Sequence, residues 1–162
     1  SLKNKLTQFA WKGETYTGPQ DMCFNLSFGT FLSACHVYKD YTLTHNPMAL
    51  RYLFAILYSN KKPLEERAEH LSEMPLHAAL SAYYFYKSVM THLATNPVTF
   101  QNETLPLFEV FASSNCQSAM GGLSTLAYEK AFSPENMGAH FDQLKGQNLY
   151  EVLRYMWFKG KA

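Results

Sequence analysis

Charge is scarce in this chain: Asp, Glu, Lys and Arg make up 17% of its 162 residues, against about a quarter in ordinary soluble domains. The formal net charge is +1. Bulk electrostatics therefore give no pull toward the nucleic-acid backbone or an anionic membrane, and a nucleic-acid-binding role is disfavoured. Long apolar runs are missing as well. The longest, such as residues 53–57, fall far short of the roughly 20 residues that cross a bilayer, and Lys3 and Lys5 are followed by no apolar region of a secretory signal. No membrane association is expected. Cysteine is limited to Cys23, Cys35 and Cys116, an odd and widely spaced set unlike a disulfide-stapled secreted module, which points to a reducing cytoplasm.

Motifs that carry chemistry are equally sparse. The Cys-x2-Cys and His-x3-His spacings of zinc sites do not occur. Gly121-Gly122 lacks the spacing and the following Lys-Ser or Lys-Thr of a phosphate loop. The acidic run Glu65, Glu66, Glu69 and Glu73 has same-face helical spacing but no Glu-x-x-His partner, and Lys61, Lys62 and Arg67 balance it, so it reads as a solvated face. Cys35-His36 is a thiol beside a base, yet helical neighbours diverge by about 100°. Cys116 follows Asn115 at an expected helix boundary, where the helix dipole lowers a thiol pKa. These thiols supply the alternative reading, a small helical thiol-dependent enzyme. No cofactor or metal is expected.

What is abundant is rings. Phe 12, Tyr 11 and Trp 2 amount to 15% of the chain. The run Tyr83-Tyr84-Phe85-Tyr86 distributes rings around nearly a full helical turn, so one core cannot take them all. Tyr and Trp favour interfaces because they bury a large area while keeping a polar tip satisfied.

The patterning predicts an all-α single-domain bundle of about seven helices, with residues 1–25 as a short N-terminal arm or hairpin and residues 26–162 as the helical domain. In the arm, Phe9–Trp11 and Glu14–Tyr16 flank Lys12-Gly13 as a small hairpin. From Ser27 on, Phe28, Phe31, Leu32, Cys35 and Tyr38 share one helical face, opposite Ser33, His36 and Asp40. Asn46-Pro47 starts a second helix ending near Tyr58. Pro63 opens a short acidic turn of helix, and residues 76–94 form a long helix with an apolar arc wider than a surface helix needs. Residues 98–105 read as a loop or short edge strand. Pro106 starts another helix, residues 117–132 follow with a boundary at Gly121-Gly122, Ser133-Pro134-Glu135 is a further start, and residues 149–158 close the chain with Val152, Leu153, Met156 and Trp157 on one side.

Leu26-Ser27-Phe28-Gly29-Thr30-Phe31, Leu53-Phe54-Ala55-Ile56-Leu57-Tyr58, Glu66-Arg67 and Met74-Pro75-Leu76 with Ala78, Ala82 and Phe85 occur in that order. In this the chain resembles small helical proteins of tailed bacteriophages regarded as tail or baseplate-hub assembly proteins or chaperones. The resemblance spans roughly residues 25–95, with a weaker echo in residues 149–157. It implies a non-enzymatic protein of the host cytoplasm or the virion, bound to a tail, baseplate or other virion component, with homo-oligomerisation open. The residues expected to carry partner binding are Trp11, Tyr16, Phe31, Tyr83, Tyr84 and Tyr86.

Overall fold

The computed structural model describes residues 2–112, 122–132 and 142–161. Two antiparallel hairpins stand among the helices, so the all-α expectation is overturned: the fold is mixed, though mainly helical. The chain divides into two compact units, Ser1–Phe24 with Ser33–Val89, and Asn25–Leu32 with Met90–Ala162.

In the first unit β1 (Gln8–Trp11) pairs with β2 (Glu14–Thr17), setting Phe9 opposite Tyr16 and Trp11 opposite Glu14. Lys12 and Gly13 both take positive φ, 46° and 83°, the backbone of a two-residue turn whose twist matches its strands. The hairpin is fastened to the helical layer. Thr17 and Ser59 exchange backbone hydrogen bonds at 2.8 and 2.9 Å. A Cβ built at Gly18 would lie 2.2 Å from the Tyr58 ring, so only glycine allows this approach. Asn4 pins the preceding segment: its Nδ2 donates to the Leu6 and Pro19 carbonyls and its Oδ1 accepts from the Leu6 N–H.

Four helices contribute to this unit. The first, α1 (Phe28–Thr44), supplies residues 33–44, with Ala34, Cys35 and Tyr38 buried. Next comes α2 (Pro47–Leu57), opened by Asn46, whose side chain accepts from the Met48 N–H at 3.0 Å, with Pro47 as first residue. No residue of α3 (Leu64–His70) is buried, but Arg67 reaches from it to donate through Nε and Nη2 to the Ala55 carbonyl at 3.2 and 2.9 Å. From α4 (Leu76–Thr95), residues 76–89 belong here and bury Ala78, Ala79, Ala82, Tyr83, Tyr86 and Val89.

The second unit begins with residues 25–32. Ser27 Oγ accepts from the Thr30 N–H at 3.1 Å, capping the start of α1. A Cβ at Gly29 would meet the Lys145 carbonyl oxygen at 2.9 Å, which fixes how closely this first turn approaches residue 145. The second hairpin, β3 (Val98–Phe100) with β4 (Glu103–Leu105), turns through Gln101 and Asn102 at φ 51° and 65°. Where a helix was expected after Pro106 there is a 3-10 turn, Leu107–Val110. Ser124 Oγ caps α5 (Thr125–Ala131), and Asn148 caps α6 (Leu149–Gly160) by accepting from the Tyr150 N–H at 2.9 Å. Helix α6 packs on α5 and the 3-10 turn and buries Leu149, Tyr150, Val152, Leu153 and Met156. The start expected at Ser133-Pro134-Glu135 lies outside the described residues.

Candidate functional site

The aromatic run on α4 splits as helical spacing requires. Tyr83 and Tyr86 turn inward. Tyr83 stacks on Tyr38 at 5.0 Å between ring centroids, Tyr41 meets Tyr83 edge-on at 4.9 Å, and Tyr86 lies 5.9 Å from Tyr38. The Tyr83 hydroxyl is within 2.9 Å of Thr42 Oγ1. Burial pushes the Tyr38 phenol up to about 12 and raises that of Tyr86 well above its ordinary value, because a phenolate there would lose its water.

Tyr16 and Phe31 are also fully buried. Of the six residues expected to bind a partner, Tyr16, Phe31, Tyr83 and Tyr86 are therefore interior, out of reach of another chain in this conformation. The premise that one core could not take the rings fails in part because two compact units are available to take them. Trp11 is half-buried: it stacks on Phe9 at 6.4 Å and lies under the Lys12 ammonium at 5.3 Å, with its indole N–H enclosed and unpartnered.

Tyr84 is the exception, 58% exposed. With Phe85, Ser81 and Ser88 on one wall, and residues 2–5 on the other, it lines a groove of about 250 Å³ in the first unit. Lys3 and Lys5 lie on that second wall, both exposed and neither in an ion pair among the described residues. The groove thus offers a ring, a half-buried apolar side chain at Phe85 and two positive charges unpaired among the described residues.

A second exposed aromatic surface lies in the other unit, on α6. Tyr155 and Phe158 are 43% and 66% exposed. Residues 149–158 read on sequence as one apolar side made by Val152, Leu153, Met156 and Trp157. The missed signal is on the opposite side, where Tyr155 and Phe158, at i and i+3, leave two rings on the charged face with Glu151 and Arg154.

The thiols offer no nucleophile among the described residues. Cys35 is buried and disulfide-bonded, while His36 is exposed. Cys23 is a free thiol, but it is buried and desolvation raises its pKa far above the ordinary range. Cys116 lies outside the described residues, as do Gly121 and His140. Among the described residues, no three of His, Cys, Asp and Glu converge as a metal-binding group, and no helix is long and apolar enough to cross a membrane. His70 serves the fold. Its Nδ1 lies 2.6 Å from the Tyr16 hydroxyl and its Nε2 lies 3.3 Å from the Lys12 carbonyl. A carbonyl oxygen only accepts, so in the neutral ring Nε2 carries the proton and Tyr16 donates to Nδ1.

Among the described residues these features define a mainly helical protein with two hairpins and two exposed aromatic surfaces. Comparison with protein-family models, with curated proteins and with solved structures gives no match in any of the three.

Proposed function

We propose that this chain is a non-enzymatic binding protein of a tailed phage, made in the host cytoplasm, that holds a tail or virion component on the groove beside Tyr84. The observation that carries the reading is the groove itself, which presents an exposed ring and two lysines without acidic partners among the described residues. Its chemistry suits an acidic segment bearing one apolar side chain, which would pack on Tyr84 and Phe85 while its carboxylates meet Lys3 and Lys5. The phage setting rests on the resemblance, in the order of these segments, to tail-assembly proteins.

Two forms of this role are distinguished by residence, as a chaperone that leaves or as a subunit that stays.

The test is affinity capture from infected cells with the wild-type chain, Tyr84→Ser and Lys3→Glu/Lys5→Glu. A virion protein retained by the wild type, and reduced at least about tenfold by either variant, supports the reading. No virion protein retained, or one retained equally by all three, overturns it. Mass spectrometry of purified particles then separates the forms: fixed stoichiometry means a subunit and absence means a chaperone.

A further inference from the structure

A hollow in the second unit is bordered by charges of both signs that do not meet. It lies where α6 packs on α5 and the 3-10 turn, on the side of α6 away from Tyr155 and Phe158. Glu109 borders it from the 3-10 turn, Lys130 from α5 and Lys161 from just beyond α6. All three are exposed. None lies within ion-pair distance of an opposite charge among the described residues, and the Lys161 ammonium rests over the Trp157 ring, 4.0 Å from its centroid.

Between the charges the lining is apolar and partly uncovered. Leu126 is 62% exposed at this hollow, and the half-buried Trp157 lines it as well. At Gly160 the lining has no side chain, and a Cβ built there meets no atom within 4 Å. The volume is about 170 Å³, that of about six water molecules in the liquid, which admits one small molecule. A ligand that matches all of this carries an ammonium for Glu109, a carboxylate for Lys130 and Lys161, and an apolar side chain to cover Leu126 and the Trp157 ring. The end of a peptide supplies only one charge of the pair, whereas a free α-amino acid carries both on one carbon.

We propose that this hollow binds a free α-amino acid with an apolar side chain of middle size, such as leucine or methionine, held by its two charges between Glu109 and the lysines. The site lies wholly in the second unit and uses no residue of the Tyr84 groove, so it stands or falls independently of the binding role assigned there.

Calorimetric titration of the full chain with L-leucine tests it. Saturable binding of a single leucine per chain is expected. N-acetyl-leucine, which lacks the ammonium, and leucinamide, which lacks the carboxylate, should each bind at least about fivefold more weakly. Glu109→Gln should weaken leucine by a similar factor and leave N-acetyl-leucine unchanged, since the group that Glu109 meets is already gone. Lys130→Gln/Lys161→Gln should weaken leucine in the same way and leave leucinamide unchanged. Gly160→Leu fills the hollow and should abolish binding, with the far-UV spectrum unchanged because the added side chain enters open space. Tyr84→Ser should leave the affinity unchanged. No binding of leucine, methionine or valine at about 10 mM overturns the proposal. So does binding indifferent to Glu109→Gln and Gly160→Leu, since it takes place elsewhere, and so does N-acetyl-leucine held as tightly as leucine.

Discussion

In the first unit three tyrosine hydroxyls are fastened to other atoms of the chain: Tyr16 to His70, Tyr58 to the Leu6 carbonyl, Tyr83 to Thr42. In the second unit Tyr128 is buried with its hydroxyl unpartnered among the described residues, the Trp157 indole N–H is likewise enclosed without a partner among them, and Tyr155 and Phe158 stand at the surface. A ring with a bonded tip locates its neighbours, since it adds direction to apolar burial. A ring without one contributes area alone. Tyr16 and Tyr58 hold the first hairpin and the segment before it on the helices and Tyr83 ties α4 to α1, while Tyr84 in the first unit and Tyr155 and Phe158 in the second stand at the surface. Trp11 runs against the pattern, because its N–H is unpartnered in the first unit.

The largest effect should come from breaking the bonded core. Tyr86 is fully buried against Tyr38, and Tyr86→Ala is expected to cost about 3–5 kcal/mol through lost burial and the cavity left behind. Tyr155→Ala, on the exposed face of α6, should change stability by less than about 0.5 kcal/mol. Urea unfolding of the two variants measures both. Equal losses would erase the distinction between the units.

Alkali should attack the same core. Burial raises the phenols of Tyr38, to about 12, and of Tyr86 and Tyr58 above their ordinary value. A group whose folded pKa lies above its unfolded one binds its proton more tightly when folded, so the stability it contributes is complete below the unfolded value, near pH 10, and is lost as pH rises through the folded value. Thermal melting points should therefore fall between about pH 10 and 12, with phenolate absorbance rising together with unfolding. A melting point that stays level across that window would show that the rings ionise without opening the unit.

Much of the local structure was legible because it rests on local rules. The buried set Phe28, Phe31, Leu32, Cys35 and Tyr38 follows from 3.6-residue spacing, and Asn46-Pro47 states its helix start through one side-chain oxygen and one fixed φ. The first hairpin is written in Lys12-Gly13. The second was missed because Gln101-Asn102 carries no glycine, though asparagine is among the residues that enter the left-handed region most readily. That hairpin, with the first, is what excludes an all-α class. The burial of Tyr16, Phe31, Tyr83 and Tyr86 was not legible for a different reason. A wheel shows which rings diverge, as it did for Tyr84, but whether an inward ring finds a core depends on how the chain divides, and the split at residues 24/25, 32/33 and 89/90 leaves no local mark. Tyr155 and Phe158 were readable in principle from the polar side of the α6 wheel.

The finest test of the contrast removes one oxygen at a time. Tyr16→Phe deletes the donor to His70 Nδ1 and leaves a ring nitrogen without its partner, so it should cost about 0.5–1.5 kcal/mol and loosen the hairpin from α3. Tyr128→Phe deletes a hydroxyl that has no partner to lose. Burying that group unbonded already weighs against the fold, so its removal should leave stability unchanged or raise it by up to about 1 kcal/mol. Opposite signs from the same chemical change, read by denaturant unfolding, would establish that the tip of the ring and not its area separates the two units. A loss on both sides would mean that Tyr128 has found a bond of its own in solution, and the contrast would then rest on the exposed rings of α6 alone.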